Sequence, residues 1–133
     1  MTSQAVRRVQ SGSPWEESFG FARASRRRPG TGRRETSFKG TVLYGEGDPY
    51  EQAKVAFTGA LEAIAEFGLG PESVLLTRMY LTHVRDVDAV GRAHKELFDA
   101  VRPVSTLLVV EGFVDPRILV EVELEAFRGR QAP

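Results

Sequence analysis

The C-terminal stretch Val101–Arg128 is the feature that most constrains the fold. It predicts two strands, about Ser105–Val114 and Ile118–Phe127, joined by a turn at Asp115-Pro116-Arg117. Side chains alternate between the two faces of a strand. One face of the second strand is therefore apolar, formed by Val120, Val122, Leu124 and Ala126. The other face is a row of carboxylates, Glu121, Glu123 and Glu125. These carboxylates must be either solvated or paired at an interface.

The composition limits the class of protein. A chain of 133 residues with 41% hydrophobic and 27% charged residues suits one globular domain, taken as residues 1–133. Eighteen basic residues balance eighteen acidic ones, so no overall field attracts nucleic acid or a membrane. The absence of cysteine excludes disulfides and thiolate chemistry, and two histidines argue against a histidine-rich metal site. Without a transmembrane-length apolar run or a signal-peptide core, we expect a soluble cytoplasmic protein that needs no cofactor or metal.

The N-terminal third predicts short strands. Residues 1–12 form an arm with room for a strand around Val6–Gln10, and Phe19–Arg27 and Arg33–Lys39 can form a hairpin. Pro29-Gly30-Thr31-Gly32 would supply its turn. The hairpin carries five arginines, namely Arg26, Arg27, Arg28, Arg33 and Arg34. They could contact RNA or simply be solvated, and without stacking aromatics among them the nucleic-acid signal is weak.

Two helices follow. The first begins at an Asp-x-x-Glu capping box, with Asp48 as the N-cap, Pro49 at the first helical position and Glu51 three residues after the cap. Gly68 is placed to end it. Its apolar positions recur at helical spacing: Tyr50, Ala53, Phe57, Ala60, Leu61, Ile64 and Phe67. The second helix is predicted to be capped by Asp86, with an apolar stripe of Val87, Val90, His94, Leu97, Phe98 and Val101.

Between the helices, Val74–His83 has the composition of a strand. One face would carry Leu75, Thr77, Met79 and Leu81, and the other Leu76, Arg78, Tyr80 and Thr82. The order of elements predicts an α+β, two-layer domain, with two helices on one side of a mixed sheet. The other side would expose apolar and acidic side chains together. We therefore expect a second copy of the chain to cover it in a closed symmetric oligomer.

Four stretches of the sequence resemble the Rid family, the reactive-intermediate deaminases also called YjgF or endoribonuclease L-PSP. They are GEGDPYEQAKVAFTGALEAIAEFGLGPESV, TRMYLTHVRDVDAVGRAHKELF, RPVSTLLVV and ILVEVELEA, in that order. The resemblance runs from about Ser13 to Ala126. It implies a chorismate-mutase-like (YjgF-type) domain with a six-stranded mixed sheet. It also implies a homotrimer with small-molecule clefts between neighbouring subunits.

The resemblance further implies hydrolysis of imines or enamines to a keto acid and ammonia, with an arginine that binds the substrate carboxylate. The matching residue here is Ser105, which offers a neutral hydrogen bond and no charge. The water-positioning glutamate of the family matches Glu121. The other residues that the resemblance places in or near the cleft are Phe21, Lys39, Gly40, Gly91, His94 and Leu107. Phe21, Lys39 and Gly91 replace a tyrosine, a serine and an asparagine.

Three functions remain open at this point. The first is a Rid-type trimer with a remodelled cleft, in which Glu121 and water carry out hydrolysis or another proton transfer. The second is a non-catalytic trimer that binds a metabolite as a regulator. The third is RNA binding or cleavage by the arginine-rich hairpin, against which the balanced charge argues. Glu121 could instead serve as an ion-pair partner of Arg78 or Lys39, and His94 as a core residue with one hydrogen bond.

Overall fold

A computed structural model of the protein describes residues 6–10, 17, 24–27 and 30–127. Helix α1 spans Pro49–Ala65 and helix α2 spans Val87–Phe98. The strands are β1 (Val6–Val9), β2 (Ala24–Arg27), β3 (Gly30–Glu35), β4 (Phe38–Lys39), β5 (Val42–Leu43), β6 (Val74–Leu81), β7 (Val104–Val109) and β8 (Val120–Phe127). Short 3-10 turns at Pro71–Ser73 and Val84–Asp86 precede β6 and α2.

Six of these strands form one mixed sheet. Their order within the described residues is β1-β2-β3-β8-β6-β7, and β4 and β5 make a separate small hairpin. Neighbouring strands in the large sheet are antiparallel except β6 and β7, which are parallel and connected through α2. Helix α1 packs on α2, β8 and β3, so both helices cover one face of the sheet. The α+β, two-layer prediction is confirmed.

The central strand β8 has the alternation expected from its sequence. Its apolar side chains are at most 1% exposed and belong to the main hydrophobic cluster: Val120, Val122, Leu124 and Ala126. The side chains of Glu121, Glu123 and Glu125 remain 21%, 30% and 52% exposed on the opposite face. Since β8 lies between β3 and β6, its apolar face lies directly under the helices and organises the core.

Strand positions differ from the sequence expectation at three places. Strand β7 ends at Val109 and pairs with β6, so a long connection rather than a tight turn leads from it to β8. Arg27 pairs with Gly30, so the glycines assigned to the turn, Gly30 and Gly32, belong to β3. A register shift between Val74 and Leu76 puts Val74 in the core instead of Leu75, which is 57% exposed. The predicted segment 19–23 lies outside the described residues.

Helix α1 begins and ends as the sequence predicts. The N–H of Glu51 donates to the Asp48 carboxylate at 3.1 Å, and Pro49 takes the first helical position. Gly68 has φ +76°, which glycine adopts without strain. In α2 the capping prediction is only half right, because Asp86 holds the N-cap position but its side chain makes no capping hydrogen bond. Neither α1 nor α2 is long and apolar enough to cross a membrane.

Gln52 connects α1 to the chain entering β8. Its side chain is fully buried, its amide donates to the carbonyl of Arg117 at 3.0 Å, and its carbonyl accepts from the N–H of Leu119 at 2.8 Å. We expect Gln52→Leu to lower the free energy of unfolding by about 2–4 kcal/mol, because two shielded backbone groups lose their partners. Urea denaturation would measure this loss. A change in stability as small as that of the exposed control Glu62→Gln would contradict the expectation.

Candidate functional site

The face of the sheet that the helices do not cover carries an ionic network. We call it the open face, and it consists of Arg34, Leu76, Arg78, Tyr80, Val104, Thr106, Leu108, Glu121, Glu123 and Glu125. Arg78 lies 2.9 Å from Glu125 and 3.8 Å from Glu123, and the Tyr80 hydroxyl donates to Glu123 at 2.6 Å. That hydrogen bond raises the pKa of Tyr80, and the contact with Glu125 raises the pKa of Arg78. Glu121 pairs with Arg34 at 3.5 Å.

A second polar cluster lies on the helix side of the sheet. Strands β6 and β7 place Thr77 beside Ser105, and their hydroxyl oxygens are 2.6 Å apart. The Nε2 atom of His94, from α2, lies 2.8 Å from the Thr77 oxygen and 3.3 Å from the Ser105 oxygen. Thr77 is fully buried, whereas Ser105 is exposed. The three residues therefore form a hydrogen-bonded chain from the surface into the core, which we call the His94 cluster.

Aromatic rings hold the imidazole of His94. Its ring centroid lies 5.4 Å from that of Phe57 in an edge-to-face arrangement and 4.8 Å from that of Phe98. Burial lowers the pKa of His94 below the usual histidine value. The imidazole is therefore neutral at pH 7, with one nitrogen able to accept a proton. Since the unfolded chain takes up this proton at higher pH, His94 contributes stability that decreases as the pH falls from about 6.5 through its folded pKa.

Ser105 and Glu121 do not meet within one chain. The Ser105 side chain points to the helices with Thr77, whereas Glu121 points to the open face beside Tyr80. Strand spacing and rise place their Cα atoms about 14 Å apart, two strands across and three residues along. A small ligand cannot bridge that separation within one subunit. Arg78 lies on the open face as well, so in the same chain it does not reach the surroundings of Ser105.

The remaining predicted site residues are spread over several elements. Lys39 and Gly40 lie at the β4–β5 hairpin, where Gly40 has φ +64° and the Lys39 ammonium lies 5.8 Å from the centre of the Tyr44 ring. Gly91 lies on α2, three residues before His94, and a Cβ there would meet open space. Leu107 packs partly buried against the core. Phe21 lies outside the described residues.

Arg33 and Arg34, the two hairpin arginines whose side chains the structure describes, do not share one surface. Arg33 is buried on the helix side, where it pairs with Glu35, whereas Arg34 lies on the open face and is paired with Glu121. The sequence allowed an RNA contact or a solvated turn for these arginines, and Arg33 fits neither alternative because it is buried. Strand alternation is the reason, because neighbours along a strand point in opposite directions.

Thr77 is the member of the His94 cluster that sequence reasoning missed as a site residue. The alternation of β6 places it on the core face, as the structure confirms. The signal was a threonine on the same buried face as apolar residues, in a chain whose next helix carries a histidine in its apolar stripe. A buried hydroxyl needs a hydrogen-bond partner, and His94 supplies one.

Comparisons with known proteins agree with this architecture. Residues 31–128 match the model of the family described as Endoribonuclease L-PSP. The chain is 72% identical to the uncharacterized protein SCO2049 of Streptomyces coelicolor, with 97% of each chain covered. It is similar to Rv2704 of Mycobacterium tuberculosis, a solved member of the YjgF/YER057c/UK114 family, at 29% identity and TM-score 0.84, covering 92% of this chain and 99% of that one.

Escherichia coli TdcF, solved with bound serine, shares the fold at TM-score 0.76. It is 14% identical, and the match covers 92% of this chain and 94% of that one. The family match agrees with the alternating strand β8 and with the layer of two helices. This chain belongs to the endoribonuclease L-PSP family, which is also known as YjgF or Rid.

Proposed function

We propose that this protein is a homotrimer that hydrolyses a C=N bond of a small imine or enamine in clefts between its subunits. Glu121 holds the attacking water and accepts its proton. Ser105 lines the cleft where the Rid resemblance implies a carboxylate-binding arginine. The substrate group next to Ser105 is therefore uncharged.

The separation of Ser105 and Glu121 supports this proposal. Because they lie on opposite faces of the sheet in one chain, one ligand can contact both only where a second copy brings its own open face or edge close. Exposed apolar side chains follow the edge strand, with Val104 71%, Leu108 49% and Val109 50% exposed. An apolar edge beside a partly buried ionic network favours burial against another subunit. TdcF, which has the same fold, holds a ligand of amino-acid size.

The chemistry at the proposed cleft follows from the residues. The side chain of Glu121 is 21% exposed, so its carboxyl group is shielded but can still be reached by water. A positioned carboxylate that takes a proton from water contributes about 10²–10⁴ to a rate. At the Ser105 end the His94 cluster provides the exposed hydroxyl of Ser105, supported by the buried Thr77 hydroxyl and a neutral imidazole. Such groups bind a carbonyl, amide or hydroxyl better than a carboxylate, which needs a cation to replace its hydration.

Glu121→Gln tests this proposal. We expect the variant to release ammonia from imines at least about 100-fold more slowly than the wild type, because the amide cannot accept a proton from water. The imines would be generated in situ in matched pairs, one derived from an amino acid and the other from its ester. The wild type should hydrolyse the uncharged ester imine of each pair faster than the acid imine. Glu125→Gln is the matched control, since Glu125 lies on the same strand and face but is more exposed.

Two outcomes would contradict the proposal. One is imine hydrolysis that the Glu121→Gln variant retains in full. The other is a sedimentation experiment in which the wild-type chain stays a stable single subunit at micromolar concentration. Ligand-dependent thermal stabilisation without any turnover would support the non-catalytic, metabolite-binding alternative instead.

A further inference from the structure

The His94 cluster contains the parts of an activated hydroxyl. We propose that Ser105 is a nucleophile that accepts the acyl group of small uncharged esters, with His94 as its proton acceptor and Thr77 as the residue that positions both. This activity is distinct from the hydrolysis of a C=N bond assisted by Glu121. It requires neither Glu121 nor an imine, and it takes place at the Ser105 end of the proposed cleft.

The distances within the His94 cluster suit an activated hydroxyl. A hydroxyl nucleophile needs a base within hydrogen-bond reach, a distance that is often slightly longer before a substrate binds. The Ser105 oxygen lies 3.3 Å from Nε2 of His94. Its hydroxyl donates to the carbonyl oxygen of Pro103 at 3.2 Å, so the hydroxyl must rotate from Pro103 toward His94 before the proton is transferred. Thr77 contacts both partners, at 2.6 and 2.8 Å, so it holds the hydroxyl and the ring at a constant spacing. Ser105 is exposed and can be reached by a ligand.

The surroundings of the His94 imidazole keep it uncharged. Four uncharged side chains face the imidazole, one from each surrounding element: Phe57 of α1, Phe98 of α2, Thr77 of β6 and Ser105 of β7. Burial is the cause of the lowered pKa of His94. A neutral imidazole at pH 7 can take a proton from Ser105. The two phenylalanine rings restrict the orientation of the imidazole, which is one of the tasks of the carboxylate in a catalytic triad, but they provide no hydrogen bond to Nδ1.

The edge position of β7 provides backbone N–H groups beside Ser105. The N–H of Val110 donates to the carbonyl of Leu81 on β6 at 2.8 Å. Backbone groups alternate in direction along a strand, so those of Ser105 and Leu107 point away from β6. The sheet order ends at β7 within the described residues, so these N–H groups lie at its edge. Backbone N–H groups beside a nucleophile can stabilise the oxyanion of an acyl-transfer intermediate.

The reaction consists of two balanced steps. In the first, the Ser105 oxygen bonds to the ester carbonyl carbon and its proton passes to Nε2 of His94. The tetrahedral adduct then collapses, the bond to the alkoxide breaks, and the imidazolium returns the proton to the departing alcohol. In the second step, water attacks the acyl-serine in the same way, giving a carboxylic acid and free Ser105. No oxidant, reductant or metal is required.

Diisopropyl fluorophosphate tests this proposal without knowledge of the natural ester, because it phosphorylates activated serine hydroxyls and releases fluoride. We expect the full-length protein at pH 8 to gain one diisopropylphosphoryl group, located at Ser105 by peptide mass spectrometry. Labelling should vanish in Ser105→Ala, slow at least 100-fold in His94→Gln and slow about tenfold in Thr77→Val. Glu125→Gln should be labelled like the wild type. Ser73, on a 3-10 turn outside the cluster, is an internal control and should remain unmodified.

A pH series on the wild-type protein completes the test and does not depend on any variant being folded. The labelling rate should fall as the pH decreases through the pKa of His94, because the imidazolium can no longer accept a proton. Absence of label at Ser105 would overturn the proposal. So would a rate independent of pH between 4.5 and 8, or a folded His94→Gln variant labelled as fast as the wild type. Imine hydrolysis and labelling are measured separately, so failure of one does not imply failure of the other.

Discussion

Ser105→Arg is expected to raise kcat/KM for carboxylate-bearing imines by about 10²–10⁴. An arginine at this position could bind a substrate carboxylate through two charge-assisted hydrogen bonds, each worth about 1.5–3 kcal/mol. Since 1.4 kcal/mol corresponds to a factor of ten, the combined effect spans that range. Binding that is equal in the ground and transition states also raises kcat/KM, so a gain in affinity alone is sufficient. The measurement is ammonia release from an amino-acid-derived imine at a concentration below KM.

Ser105→Gln is the control for this substitution. Glutamine lengthens the side chain and keeps hydrogen-bonding capacity but adds no charge, so we expect it to leave the preference for uncharged substrates intact. The arginine variant should also reverse the order of the paired series, so that acid imines react faster than ester imines. An arginine variant no better than the glutamine variant on acid imines would show that a missing cation at residue 105 does not limit the reaction.

Arg33→Met is expected to lower the free energy of unfolding by about 3–5 kcal/mol, because it removes one partner of a buried ion pair. The side chains of Arg33 and Glu35 are 5% and 8% exposed, and they contact each other on the helix-facing side of β3. Helix α1 lies close above them, since a Cβ on Gly59 would come within 3.3 Å of the Glu35 side chain. Without its guanidinium partner, the Glu35 carboxylate keeps the hydrogen bond from the N–H of Thr36 at 3.2 Å but loses its charged contact at a buried position.

Two further variants make this expectation specific. The double variant Arg33→Met with Glu35→Leu should recover most of the lost stability, because no uncompensated charge remains and apolar packing replaces the pair. Arg34→Met, one residue along the strand but 46% exposed, should cost less than about 1 kcal/mol. Urea denaturation of the wild type and these variants, together with the single variant Glu35→Leu, would measure the coupling between Arg33 and Glu35. Equal effects of the Arg33 and Arg34 substitutions would contradict the importance of burial.

Features that depend on near neighbours in the chain could be predicted from the sequence. The capping box at Asp48 and the positive φ of Gly68 are set by side-chain chemistry within a few residues. The two faces of β8 follow from strict alternation, because a shift of one residue would bury three glutamates. These features were enough to predict two helices on one face of a mixed sheet, and to predict that the other face would carry the acidic row.

Features that depend on residues far apart in the chain could not be predicted in this way. Strand pairing decides both the register shift that exposes Leu75 and the length of β7. The energy of pairing depends on the neighbouring strand as well as on the strand's own residues. The five hairpin arginines looked like one group in the sequence. The register of β3 instead places Arg33 in the interior and Arg34 on the open face.

The sequence by itself determined the fold class and the family resemblance, and it has a serine at residue 105. Only the tertiary structure decided what surrounds that serine. Thr77 and Ser105 lie 28 positions apart in the chain, and Thr77, His94 and Ser105 belong to a strand, a helix and a second strand. They meet because the connection through α2 returns the chain to the same edge of the sheet and so sets the register of β7 against β6. A hydrogen bond requires distances within a few tenths of an ångström, and only that long-range packing provides them.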